Sequence, residues 1–163
     1  MHPAKLPQYA IDGAVRRRGK VHCIEEIDPT KAALVVIDMQ NVFMQENAPA
    51  EVPTAREIVP NINALARSIR ETGGKIIWVQ MTHSAQNLET WSFFYERIST
   101  PDRTRDMQSW MTKGTEGHKL WPSLDVSDSD FKVEKCRYSA FLQGSSNIAE
   151  VMRENALDTV VIT

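Results

Sequence analysis

The run "AALVVID" at residues 32–38 puts six apolar side chains in a row and closes them with an aspartate. A strand with one face in water alternates apolar and polar residues. An unbroken run instead fits a strand of a parallel sheet, covered on both faces. "KIIWVQM" (75–81), residues 130–135 and "LDTVVIT" (157–163) read as three further strands. "EIVPNINALARSIRETGG" reads as a helix, because Ile58, Ile62, Leu65 and Ile69 form one apolar stripe. Pro60 is tolerated only in a first turn, so the helix is expected to begin near Glu57, and Gly73 and Gly74 supply its stop. "SSNIAEVMRENA" reads as a second helix, with Ser145 or Ser146 as N-cap and a stripe of Ile148, Val151 and Met152.

Strands alternating with helices imply a doubly wound parallel α/β sheet, three layers thick. Residues 1–30 are expected to form an extended N-terminal arm, and residues 31–163 the domain built on this sheet. Residues 82–128 are harder to read. "NLETWSFFYERI" and "TRDMQSWMT" suggest short helices, and "KGTEGHKLWPSL" a loop. A final strand with no helix to cover it raises the expectation that the domain is truncated after its fourth strand, with its C-terminal part absent.

Composition narrows the function classes. A net charge of −2 with 25% charged residues is an ordinary surface and argues against nucleic-acid binding. No stretch approaches a membrane span, and the N-terminal residues hold no signal-like apolar run. Cys23 and Cys136 suggest no disulfide framework, so a reduced, cytoplasmic setting is expected. "VRRRGKVH" (15–22) reads as a solvated basic arm or, alternatively, as one laid against a neighbouring subunit. The four histidines have no paired spacing, which gives no metal site, and each reads as a lone polar or surface residue. No glycine-rich dinucleotide or phosphate loop follows the first strand, so no cofactor is expected.

In an open parallel sheet the chemistry gathers at the carboxyl ends of the strands. Those ends present Asp38 on the first strand, Gln80 on the second and Lys135 on the third. An acid and a lysine on separate strands meet across one crevice, either as a catalytic pair or as a structural ion pair. Phe43, Gln80, Trp91, Arg137 and Tyr138 are expected to line the substrate pocket. Lys135 adjoins Cys136, as if to activate it, but neighbours on a strand point to opposite faces. Cys136 therefore reads as a small core residue under a helix.

"ALVVIDMQNVF" (33–43), "GGKIIWVQ" (73–80), "KGTEG" (113–117), "KCRYSAF" (135–141) and "LDTVVIT" (157–163), in this order, resemble the isochorismatase-like cysteine hydrolases. The resemblance implies an Asp–Lys–Cys catalytic set, with the acid at Asp38 and the lysine at Lys135. It places the nucleophile in a G-x-x-T-x-x-C stretch directly after the strand matching "TVVIT", so the nucleophile is expected beyond Thr163 rather than at Cys136. "WVQMTHSAQN" departs from the D-x-H signature of the zinc-binding nicotinamidases. The motifs look closer to the ureidoacrylate, N-carbamoylsarcosine and biuret amidohydrolases. The resemblance thus implies a cofactor-free hydrolase for the C–N bond of a small amide or ureido substrate, working as a homo-oligomer, dimer or tetramer. Vinyl-ether hydrolysis of the isochorismatase type, or a non-catalytic binding role on the same fold, are the alternatives.

Overall fold

The computed structural model describes residues 5–163. Four parallel strands form one sheet in the order β3-β2-β1-β4: β1 Ala32–Ile37, β2 Lys75–Met81, β3 Phe131–Lys135 and β4 Thr159–Ile162. β1 pairs with β2 on one side (Ile37 opposite Val79) and with β4 on the other (Val35 opposite Ile162). The apolar run of β1 is explained by this central place. Its alternate residues feed two separate cores. Leu34 and Val36 pack with Ile76 and Trp78 of β2 against Val59, Ile62 and Ala66 of a helix running Val59–Glu71, termed α3 below. Ala33 and Val35 pack with Ile77, Val79 and Val133 against Ile148 and Leu157 on the opposite face.

The remaining α-helices among the described residues are α1 Gln8–Arg18, α2 Asn41–Met44, α4 Ala85–Thr90, α5 Pro101–Met111 and α6 Ile148–Glu154. Three points differ from the sequence expectation. The N-terminal arm is not wholly extended, since it contains α1. That helix buries only Ala14, so apolar periodicity carried almost no sign of it. Arg16–Arg18 favour its C-terminal turn electrostatically, and Gly19 closes it at φ 76°. In α3 the buried stripe is Val59, Ile62 and Ala66, with Ile69 partly covered; Ile58 and Leu65 lie exposed. The N-cap of α6 is Asn147, although the Ser146 hydroxyl accepts the Ile148 N–H at 3.1 Å.

Two glycines after α3 have distinct reasons. Gly73 adopts φ 88°, the left-handed turn that ends the helix. At Gly74 a Cβ would come within 2.8 Å of the Pro29 carbonyl oxygen, so the chain passes too closely there for any side chain.

α3 connects β1 to β2 and lies on one face, while α6 connects β3 to β4 and lies on the other. The sheet grows outward from β1 in both directions. The crevice therefore opens beside the carboxyl end of β1, the position of Asp38.

Candidate active site

Asp38 follows the last residue of β1 and takes φ 59°, a left-handed conformation that aspartate tolerates better than most residues. Its N–H still donates to the Val79 carbonyl at 2.9 Å. The backbone thus turns sharply while anchored to β2, and the carboxylate is thrown over the strand ends. Lys135 ends β3, two strands away, or roughly 9.5 Å of sheet. A lysine reaching across the end of β2 spans that gap. Its Nζ lies 2.9 Å from Asp38 Oδ2. The Arg137 and Tyr138 carbonyls accept from the same Nζ at 3.3 and 3.2 Å, so its three donors are engaged. The Lys135 side chain is 2% exposed and that of Asp38 30%.

Two influences compete at Asp38. Burial pushes its pKa up, while the charge and hydrogen bond of Lys135 pull it down; burial prevails, and the pKa lies above the ordinary aspartate value. Oδ1 is buried and has no hydrogen-bond partner among the described residues. The Met81 backbone N–H also helps to lower the Asp38 pKa, but Oδ1 has no partner at full hydrogen-bond geometry, and a carboxylate so placed is suited to accept a proton.

The residues just after Asp38 are structural. Gln40 is fully buried. Its Nε2 donates to the Met81 and His118 carbonyls at 3.0 and 2.9 Å, and its Oε1 accepts the Met81 N–H at 2.7 Å. Asn41 donates to the Glu116 carbonyl at 2.8 Å. Gln80 also donates to the His118 carbonyl, at 2.8 Å. These amides tie the loop at 116–118 across the ends of β1 and β2.

A cavity of about 270 Å³ opens above the Asp38–Lys135 pair, near the small end of pockets for small molecules. Asp38, Lys135, Phe43, Trp91 and Tyr138 all border it. Gln80 and Arg137 do not, contrary to expectation. Gln80 faces a different crevice, with His118, Lys132 and Glu134. Arg137 contributes its carbonyl to Lys135 rather than its guanidinium to the cavity. Residues 82–128, the segment hardest to read, supply much of the wall: Phe94, Tyr95, Arg103, Thr104, Met107 and Met111. Trp91 stacks on Phe94 at 4.4 Å, and Tyr138 stands edge-on to Trp91 at 4.9 Å. The dense aromatics of "WSFFYE" were the available signal.

Cys136 does not border the cavity. It is half-buried beyond the end of β3, with Sγ 3.5 Å from the Gly144 carbonyl oxygen, rather than packed in a core. His118 is buried rather than on the surface, with Nε2 2.7 Å from the Thr82 hydroxyl. His83 packs edge-on to Tyr95. Burial lowers the pKa of both histidines. Among the described residues no three His, Cys, Asp or Glu side chains converge as metal ligands.

The Isochorismatase domain model matches residues 32–163. The chain belongs to the isochorismatase family. A probable inactive nicotinamidase of Arabidopsis thaliana is 32% identical over 131 residues, covering 80% of this chain and 63% of that protein. A cysteine hydrolase from Pseudomonas syringae shares the fold with a TM-score of 0.66 at 20% identity, covering 83% of this chain and 60% of its own. An N-carbamoylsarcosine amidase from Thermoplasma acidophilum matches with a TM-score of 0.60 at 26% identity, covering 81% and 66%. The chain thus spans less than two thirds of each of these relatives. No helix among the described residues is long and apolar enough to cross a membrane.

Proposed function

We propose that this isochorismatase-family chain carries the acid–base part of a cysteine amidohydrolase acting on the C–N bond of a small amide, carbamoyl or ureido compound. The observation behind this reading is the Asp38–Lys135 pair. One carboxylate oxygen sits 2.9 Å from the ammonium, and the other is buried and unpartnered in a residue bordering an aromatic-walled cavity. A structural ion pair would have no need of that free oxygen.

The nucleophile in this reading is a thiol presented from the carboxyl end of β4, where the family resemblance puts it. That strand end adjoins Asp38, because the Ile37 N–H donates to the Thr163 carbonyl at 3.0 Å. Asp38 Oδ1 accepts the thiol proton as sulfur bonds to the carbonyl carbon. The C–N bond then breaks, and the same proton passes to the departing nitrogen. Water cleaves the resulting thioester-like intermediate and regenerates the thiol. Lys135 acts through Asp38, keeping it ionised against the pull of burial.

The likeness to an N-carbamoylsarcosine amidase supports a carbamoyl substrate. A reducing, cytoplasmic compartment suits a thiol nucleophile. A homo-oligomer would cover the exposed Leu6, Tyr9, Ile24 and Ile27 near the N-terminus, which sedimentation would reveal.

The test is ammonia release by the full-length protein from N-carbamoylsarcosine, N-carbamoyl-β-alanine, biuret and nicotinamide, with and without a chelator. Release from a carbamoyl compound, insensitive to chelation and abolished by Asp38→Asn, is the expected result. The inactive status in the name of the Arabidopsis relative favours a second reading, a binding protein without turnover. Binding of these compounds by folded protein with no ammonia release would select it.

A further inference from the structure

On one side the sheet ends in a strand whose outward backbone groups are unspent. Among the described residues β3 pairs with β2 alone. The Thr82 N–H donates to the Lys135 carbonyl at 2.8 Å, so Lys135 directs its backbone groups toward β2. These groups alternate sides along a strand, so Phe131 and Val133 do the same, while Lys132 and Glu134 direct theirs outward. Among the described residues no hydrogen bond reaches the N–H or carbonyl of Lys132 or Glu134 from outside. The edge is closed just beyond them. The Cys136 N–H donates to the Ser145 carbonyl at 3.0 Å, and the Asp130 N–H to the Ser127 carbonyl at 3.1 Å.

An unpaired edge invites another strand, and proteins commonly guard it with lysine. A guard of one sign repels a second copy. Here the outward residues carry opposite signs, and their side chains share one face of the sheet. Lys132 is exposed and has no ion-pair partner among the described residues. Glu134 is half-buried and holds Lys113 at 2.7 Å through Oε1 alone. Suppose two copies of β3 pair antiparallel about a twofold axis. Setting Lys132 opposite Lys132, or Glu134 opposite Glu134, uses one outward residue per copy and brings like charges together. Centring the pair on Val133 uses both. Lys132 of each copy then lies opposite Glu134 of the other, and every outward N–H and carbonyl of these residues is satisfied. The same face carries a crevice that Leu120, Trp121, Pro122, Leu124 and Val126 line alongside Lys132 and Glu134. The twofold brings the crevices of both copies onto one face of the joined sheet, with apolar surface to cover.

We propose that β3 is a self-association edge: two copies of this chain join their sheets antiparallel through β3, centred on Val133, with Lys132 of each copy paired to Glu134 of the other. The pairing is independent of the reaction assigned above, since it uses neither Asp38 nor the ammonium of Lys135. It also lies apart from the exposed apolar residues near the N-terminus.

Sedimentation of the full-length protein, together with amide hydrogen exchange at Lys132 and Glu134, tests this. The wild type should associate, and both amides should exchange more slowly as its concentration rises. Lys132→Glu or Glu134→Lys alone sets like charges opposite one another at both cross-strand positions, because the twofold repeats every change. Each should weaken association by roughly tenfold to hundredfold and release both amides. An equal mixture of the two variants sets acid opposite base again and should associate about as tightly as the wild type. That recovery would also show both variants to be folded, with charge rather than damage to the strand governing the edge. A wild type that stays monomeric up to about 100 μM, well above the dissociation constants of specific protein interfaces, would overturn the proposal and make the edge a guarded one. Association that neither variant weakens, or single variants that stay apart when mixed, would overturn it as well.

Discussion

Asp38 and Lys135 are coupled by contact, so neither can be altered without changing the other. The raised pKa of Asp38 means that the native state holds this proton more tightly than the unfolded chain. Its contribution to stability is therefore full below the ordinary aspartate value and is lost as pH rises through the higher native value. For turnover the sign is the opposite, since a base must be deprotonated to act. Lys135→Met removes the cation that opposes burial, so the acidic limb of the pH–rate profile should move to higher pH by about a unit or more. Asp38→Asn should lower the rate by about 10² to 10⁴, and the double variant should be scarcely slower than Asp38→Asn. Additive losses would mean that the two residues act separately. Cys136 serves as a control. Its Sγ lies against the Gly144 carbonyl and outside the cavity. Cys136→Ser should leave turnover within about threefold, well inside what the loss of a nucleophile would cost. Inactivation accompanied by labelling of Cys136 with a substrate-like electrophile would overturn that assignment.

Among the elements, α3 is fastened to the sheet by a buried charge as well as by its apolar face. Asp130, just before β3, accepts from Arg70 Nε and Nη2 at 3.0 and 2.6 Å, from the Trp78 indole at 2.8 Å and from the Ser127 N–H at 2.9 Å. Burial alone would raise the Asp130 pKa, but the Arg70, Trp78 and Ser127 hydrogen bonds together hold it below the ordinary value. The resulting stability is present above the ordinary aspartate pKa and is lost as pH falls through the lower native value. Asp130→Asn leaves Arg70 facing a neutral amide and should cost about 3 kcal/mol in chemical denaturation, the low end for a broken buried pair because Arg70 keeps Asp125. A loss below about 0.5 kcal/mol would class the network with surface pairs. The four strands and α3 were legible because buried parallel strands and a two-sided helix impose dense apolar patterns. The meeting of Asp38 and Lys135 was legible because the carboxyl ends of parallel strands lie along one edge of the sheet. Gln80 was misassigned because its address at a strand end says nothing of which crevice its amide enters. The part of the cavity wall supplied by α5 escaped notice because the helix buries only Met111 and carries almost no periodic signal.

The whole molecule divides its tasks between the sheet and the segment that roofs the cavity. Residues 32–36 of β1 and 76–81 of β2 are all buried, and both faces of the sheet are packed. By contrast α5 buries one residue of its eleven, and the segment is pinned near the sheet by a few bonds, such as His83 N–H to the Met111 carbonyl at 2.9 Å. One small cluster holds α5, in which Met107, Trp110 and Met111 pack with Val42 and Met81, so the helix should open without unfolding the sheet, and such opening would admit substrate to the cavity. Amide hydrogen exchange can separate the two motions. Central amides of β1 and β2 should exchange only through global unfolding, and those of α5 much faster. N-carbamoylsarcosine at about 100 times its dissociation constant should slow exchange in α5 by up to about a hundredfold, since binding a closed state contributes about 2.7 kcal/mol against opening. If α5 instead exchanged as slowly as β1 in the ligand-free protein, roof and sheet would form one cooperative unit, and substrate would have to enter without local opening of this helix.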